Sequence, residues 1–306
     1  MDNLLQIQRQ INIEEQYSRK HIDKYIRDEI EANPDMQAKI DQGIQLITEY
    51  MGKDYYESKN ARIAQLKGMD LRALVTEILV GVAYCQTEEL FTSVTAMMAG
   101  RLRFSDKLDA IKTIAELMAV LCLTDAFDIL KADKSASLMV VSRIPLSADT
   151  LRFIENSQYL PPMVCKPLEL ENNYSSGYLT HNDSLILGTG NHHDGDLCLD
   201  VLNKLNQIPL RLDTDFLSTV EEDPTFVADT PEKAQQWENF KRQSYEFYLL
   251  IAQYGNTLWL THKVDKRGRI YACGYHINTM GTSFKKACVE LAKEEIVEGV
   301  PLQYRT

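Results

Sequence analysis

The chain has 306 residues, 44% hydrophobic and 25% charged, with a formal net charge of −11 and a pI near 5.1. That length admits two domains or one large one, and it supports a core that needs no disulfides. The acidic balance excludes a protein that coats nucleic acid nonspecifically, but it leaves room for a local basic groove.

In chain order, IQRQINIEEQYSRKHIDKYIRDEIEANPD is rich in helix formers and predicts helix up to Asn33-Pro34, where the residue before proline is biased out of helix. Leu71 to Cys85 is more apolar and predicts a buried helix. FSDKLDAIKTIAELMAVLCLTDAFDIL predicts a core helix with Ser105 as N-cap and Leu108, Ile111, Ala115, Met118 and Cys122 along its inner face. Val140 and Val141 then suggest a short strand. The prolines at 145, 161, 162 and 167, with Gly177, predict extended chain and turns from Tyr159 to Leu187. Asp196 or Asp200 is expected to open a helix that Pro209 interrupts. Thr230 reads as an N-cap with Pro231 at the first helical position. Ala234, Trp237, Phe240, Phe247 and Ile251 form an apolar stripe, and Gly255-Asn256 stops the helix. TLWLTHKV reads as a strand, and SFKKACVELAKEEIVEG as a closing helix. The expected division is a helical domain over 1–135, a connecting region over 136–258 and a hairpin with its helix over 259–306.

Most familiar site chemistries are missing from the sequence. The six cysteines (Cys85, Cys122, Cys165, Cys198, Cys273, Cys288) have no C-x-x-C pair and no zinc-ligand spacing, and they read as reduced, mostly buried thiols. His192 to Asp196, HHDGD, gathers metal-ligand types but lacks a calcium-loop pattern and reads as a solvated loop tip. There is no P-loop and no G-x-S-x-G elbow, and GTGN is too short for a dinucleotide fingerprint. The polar, acidic N-terminus is not a signal peptide, and no apolar run approaches the ~18–20 residues of a membrane span, so a cytoplasmic, non-membrane protein is expected.

One segment departs from the rest. Between residues 259 and 293, Lys263, Lys266, Arg267, Arg269, Lys285, Lys286 and Lys293 face only Asp265 and Glu290, a net +5 within a chain of −11. Such segregation suggests a polyanion-binding edge, with Tyr271, Tyr275 and His276 placed to stack on a base or sugar. A twisted hairpin with solvated lysines explains the composition equally well. Within D-K-R-G-R, Gly268 removes a side chain between two arginines. Arg267 and Arg269 would point to opposite faces of a strand, one for a phosphate and one for a carboxylate such as Asp265.

The neighbours of this short motif carry a resemblance. VDKRGRIYACGYHIN…SFKKACVELAKEEIVEG resembles the T/D-x-x-G-R block of the single-subunit RNA polymerases of phages and mitochondria. Ile270-Tyr271-Ala272 follow the arginine pair, then come Lys286, Leu291-Ala292-Lys293 and Gly299. Upstream, LPPMVCKPLELENNYSSGYL is similar to that family's L-P-P-M to G-Y segment, so the resemblance runs from Tyr159 to the C-terminus.

The resemblance implies an α+β, mainly helical chain: a helical N-terminal domain, then a short hairpin and helix at the edge of a polymerase palm. It implies that Arg269 contacts the backbone of template or RNA–DNA hybrid, that Asp265, Arg267 and Gly268 shape the turn, and that Lys286, or its rival Lys285, adds a second contact. The family's metal-binding aspartates come later in sequence than this chain extends, and two-metal chemistry needs them. The resemblance therefore points to the small subunit of a split, two-subunit phage DNA-directed RNA polymerase. That subunit has no catalytic residue, metal or cofactor of its own. Its expected partners are a catalytic chain holding Mg2+, a DNA template and an RNA–DNA hybrid, in the cytoplasm of an infected bacterium. A single-stranded-DNA-binding or promoter-melting factor is left open as a further partner. The alternative is a nonenzymatic nucleic-acid-binding transcription factor using the basic hairpin alone.

Overall fold

The computed structural model describes residues 2–132, 136–156, 160–188, 191–293 and 299. They are mainly helical with three small antiparallel sheets, and the chain divides into two compact units. One unit joins Met1–Ser18 to Tyr159–Thr306, and the other is Arg19–Gln158.

The predicted first helix is two, α1 (Asp2–Tyr17) and α2 (Arg19–Ala32), parted at buried Ser18. The Asn33-Pro34 stop holds because Asn33 caps the next helix, α3 (Pro34–Met51), by accepting the N–H groups of Asp35 and Met36. Then follow α4 (Glu57–Ala64), α5 (Leu71–Val82), β1 (Glu89–Leu90), α6 (Phe91–Met98), α7 (Lys107–Leu121), β2 (Phe127–Lys131), β3 (Leu138–Ser142) and α8 (Ala148–Asn156). Isoleucines four apart on α2 (Ile22, Ile26, Ile30) meet Met36, Ile40 and Ile47 of α3, Ile78 and Leu79 of α5, and Ile114 and Leu117 of α7 in one core. Each such buried side chain contributes roughly 1.5–3 kcal/mol.

α7 differs from the expected helix in its cap, its inner face and its end. Asp106, not Ser105, is its N-cap, accepting from Asp109 N. Its inner face is Ala110, Thr113, Ile114, Leu117, Met118 and Leu121, while Leu108 is 65% exposed. The helix also ends at Leu121, and a left-handed Asp125 turns the chain into β2. β3 lies between β1 and β2, with Ile129 opposite Val140. A boundary at residue 135 falls between paired strands whose Phe127 and Val140 belong to the same core, so the compact units divide elsewhere. Within this unit the buried Arg62 donates to Glu116 Oε1 (2.9 Å) and Thr113 Oγ1 (3.1 Å), and Tyr50 donates to the other Glu116 oxygen.

The other unit is built on an extended stretch, as predicted from its prolines. Pro161 to Cys165 is buried, and Met163 exchanges backbone hydrogen bonds with Trp259. Its remaining elements are α9 (Leu199–Asn206), β4 (Leu210–Leu212), α10 (Thr214–Thr219), α11 (Pro231–Gln253), β5 (His262–Val264), β6 (Ile270–Ala272), α12 (Ser283–Ala287) and β7 (Val289–Leu291). α9 starts after Cys198 and not at either aspartate, and it ends before Pro209. Thr230 and Pro231 open α11 as expected, with Thr230 Oγ1 accepting from Lys233 N. Only the second half of the α11 stripe reaches the core, through Phe247 and Ile251. The closing helix is replaced by the short α12 and a strand. β7 pairs with β4, Arg211 opposite Glu290, and this long-range pairing outweighs local helix propensity. Residues 294–298, 300 and the tail of that predicted helix lie outside the described residues.

α1 belongs to this unit through a fully buried carboxylate. Glu14 accepts from Gln10 Nε2 (2.9 Å), Leu179 N (2.9 Å), Thr180 N (2.8 Å) and Thr180 Oγ1 (2.5 Å). His181 Nδ1 lies 3.7 Å away. Burial, the largest influence, pushes the Glu14 pKa up, but the donors together outweigh it and hold it at about 2.

Candidate nucleic-acid interface

The turn between β5 and β6 holds most of the predicted site. β5 is pinned on both sides. Lys263 stands opposite Tyr271 in the hairpin, and Val264 exchanges backbone hydrogen bonds with Leu185 and Leu187. Val264 is buried with Leu170, Ile186 and Leu202, so the hairpin has a rigid root. Lys263 is spent on an ion pair with Asp183 (2.6 Å) and is not a free cation.

Asp265 to Arg269 form the turn. Gly268 N donates to Asp265 O, and Asp265 N to Arg269 O, both at 2.9 Å. Gly268 has φ +81°, a left-handed conformation that L side chains resist, yet a Cβ there would meet nothing within 4 Å. The glycine is therefore required by backbone conformation, not by crowding from the protein around it.

Arg267 and Arg269 do not face opposite sides. Both converge on the Asp265 carboxylate, because Arg267 lies in the turn and not on a strand. Asp265 Oδ1 accepts Arg267 N (2.8 Å) and Arg269 N (3.0 Å). Oδ2 accepts Arg267 Nε (3.2 Å) and Nη2 (3.1 Å), and Arg269 Nε (2.8 Å) with Nη2 at 2.7 Å. Burial pushes the Asp265 carboxyl up most strongly among single influences. The Arg269 backbone N–H and guanidinium, with Tyr271, together hold it below its ordinary value. Exposed ion pairs add little stability. Their effect here is positional: one Asp265 side chain, 15% exposed, holds two arginine side chains that are 71% and 51% exposed. Each fork meets the carboxylate along its Nε–Nη2 edge, and the Arg269 guanidinium also engages Tyr271. With exposed Lys266, the turn carries three cations and one anion.

The other predicted residues separate. Tyr271 turns its hydroxyl toward Asp265 (3.5 Å), and its ring underlies the Arg269 guanidinium at 5.5 Å. Lys285 is half-buried. Its ammonium lies 4.6 Å from the Tyr275 ring and 5.1 Å from that of Phe240, donates to Tyr275 O (2.7 Å), and has its pKa lowered, chiefly by burial. Lys286, next on α12, is exposed and makes no ion pair among the described residues. His276 is 3% exposed, bonded to Ser244 Oγ (2.7 Å) and packed on Phe240 and Phe247. Burial lowers its pKa to about 4, with Lys285 adding to the effect, so it is a neutral core residue and not a stacking group. Tyr275 is 43% exposed.

Sequence reasoning missed two residues that order the loop after β6. Asn278 Nδ2 donates to Ala272 O (3.1 Å) and Gly274 O (2.6 Å). A Cβ at Gly274 would lie inside van der Waals contact of the Ile277 carbonyl oxygen. The G-Y-H-I-N string was the available signal. In HHDGD, the carbonyls of His193 and Gly195 accept from Asn173 Nδ2, and Asp194 accepts from Tyr174. Among the described residues no group of three or more His, Cys, Asp or Glu side chains is placed to hold a metal ion, and no helix is long and apolar enough to cross a membrane.

No protein-family model matches the chain. Among curated proteins, it is similar to a probable DNA-directed RNA polymerase of Gelasinospora sp. (strain G114), 26% identical over 144 residues. The match covers 42% of this chain and 17% of that protein's length. That similarity supports a relationship to an RNA polymerase over part of the chain.

Proposed function

We propose that the chain is the small subunit of a phage DNA-directed RNA polymerase, acting as a heterodimer with a catalytic polypeptide that holds the Mg2+-dependent nucleotidyl-transfer site. In this reading the Asp265–Arg269 turn grips the sugar–phosphate backbone of template or RNA–DNA hybrid. The observation that carries it is the convergence of two exposed guanidinium groups on one carboxylate, in a chain similar to an RNA polymerase. Asp265 orients both forks, Tyr271 supports Arg269, and the exposed sides of the two guanidinium groups meet phosphate oxygens. Charge-assisted bonds of this kind position a polyanion without reading its sequence. Lys286 supplies the second backbone contact, and Lys285, committed to its aromatic neighbours, does not. The chain alone makes no RNA.

The test is DNA-templated RNA synthesis by the reconstituted heterodimer carrying Arg269→Ala and Lys286→Ala. Synthesis should fall strongly. The slope of log affinity against log salt for a hybrid duplex should flatten by roughly 0.7–0.9 per cation removed. Wild-type synthesis and an unchanged slope would defeat the assignment.

A further inference from the structure

A cavity of about 330 Å³ opens on the same unit, outside the turn, with Glu221, Glu222, Glu238, Tyr245, Tyr248 and Phe284 among its lining residues. Three of its charges are already answered. Glu238 pairs with Lys241 at 2.8 Å, and Arg242, also on the wall, pairs with Glu246 at 4.0 Å. Glu222 is poorly served. Its hydrogen bond from Thr282 Oγ1 is long, at 3.5 Å, and the nearby Lys285 ammonium is committed to Tyr275 O. Burial raises the Glu222 pKa, and Lys285 and Thr282 only partly offset it.

The second observation is independent of the acids. Tyr248 is 5% exposed, and its buried hydroxyl has no hydrogen-bond partner among the described residues. Ser244 and Cys288 lie near that hydroxyl without making a hydrogen bond of normal geometry to it, and Ser244 engages Phe240 O and His276. A buried hydroxyl without a partner is costly, and a ligand that satisfies it is favoured.

These features select one chemistry. Glu221, Glu222 and Glu238 outnumber Lys241 and Arg242 on the wall, which disfavours an anion. A neutral apolar ligand leaves Glu222 and the Tyr248 oxygen unanswered. A planar guanidinium lies against the Tyr245 and Phe284 rings while its N–H groups reach the carboxylate and the hydroxyl oxygen; an ammonium is more strongly hydrated and lacks that shape. Tyr245, on the wall, is 41% exposed, and Leu249, one turn on along α11, is 59% exposed, so α11 offers apolar surface beside the cavity suited to a protein partner. We propose that this cavity receives an arginine side chain presented by a partner polypeptide.

The experiment titrates the full-length, 15N-labelled chain with N-acetyl-arginine amide and with its uncharged isostere, N-acetyl-citrulline amide, without nucleic acid. Failure here therefore leaves the turn's assignment untouched. The arginine amide should saturate, and the citrulline amide should bind at least about tenfold more weakly, the loss expected for a charge-assisted contact. Glu222→Gln and Tyr248→Phe, each folded with wild-type spectra elsewhere, should both weaken the arginine amide. Free arginine, whose carboxylate meets Glu221 and Glu222, should bind more weakly than the amide; the reverse order would make this a free amino-acid site. Unchanged affinity in Arg242→Ala supports an outside arginine, whereas a gain of severalfold would show the chain's own Arg242 as the occupant. Equal binding of the two amides, or indifference to both Glu222→Gln and Tyr248→Phe, overturns the proposal.

Discussion

Glu14→Gln is the most exacting test of how α1 is held. The wild-type carboxylate sits beside His181 and among four hydrogen-bond donors, which together outweigh its burial and lower its pKa from an ordinary 4.5 to about 2. At ~1.36 kcal/mol per pKa unit, this depression corresponds to about 3 kcal/mol of stability near neutral pH. The folded-state pKa is the lower one, so the contribution is present above pH 4.5 and is lost as pH falls toward 2. Glutamine keeps one acceptor but turns an NH2 group against donors that the carboxylate had satisfied. Urea unfolding should be followed by fluorescence, because both tryptophans, Trp237 and Trp259, lie in the unit that contains Glu14. Other carboxylates also titrate, so the informative quantity is the gap between wild type and variant. It should be about 3 kcal/mol at pH 7 and should shrink by about 2 kcal/mol at pH 3. A gap of the same size at both pH values, or none at pH 7, would refute the reasoning.

Two glycines should respond differently to alanine. Gly268→Ala meets open space and should cost about 1–2 kcal/mol, from its left-handed backbone, while Gly268→Asn should recover most of that loss. Gly274→Ala collides with the Ile277 carbonyl and should cost more, read as a larger drop in the urea midpoint. In the other unit, Arg62→Ala leaves Glu116 with Tyr50 and Lys59 but without its buried partner, and should cost about 3–5 kcal/mol by thermal melting; Glu116→Gln together with Arg62→Met should cost less than Arg62→Ala alone.

Local chemistry was legible wherever the partners were close in sequence. Asn33-Pro34, Thr230-Pro231 and Gly255-Asn256 act as helix signals because a cap or a left-handed residue satisfies backbone groups within one turn. The D-K-R-G-R turn was readable as a cationic site for the same reason, but not its geometry. Placing the arginines on a strand assigned them to opposite faces, whereas the turn bends both onto Asp265.

The amino-acid sequence by itself determined the composition of the basic segment, the positions of the strongest helix caps and the proline-broken stretch before Leu187. Tertiary structure alone decided which charges are available. Lys263 is taken by Asp183, 80 residues away, Lys285 is drawn over two aromatic rings, and Lys286 is left exposed. It also decided that α7 buries Ile114 and Leu117 instead of Leu108, and that Val289 to Leu291 becomes a strand. Glu14 finds its donors 165 and 166 residues further along the chain. The physical reason is common to all of these. A side chain's local preferences are worth a few tenths to about one kcal/mol, while burial, ion pairing and strand pairing with distant partners are worth as much or more and cannot be read from neighbouring residues.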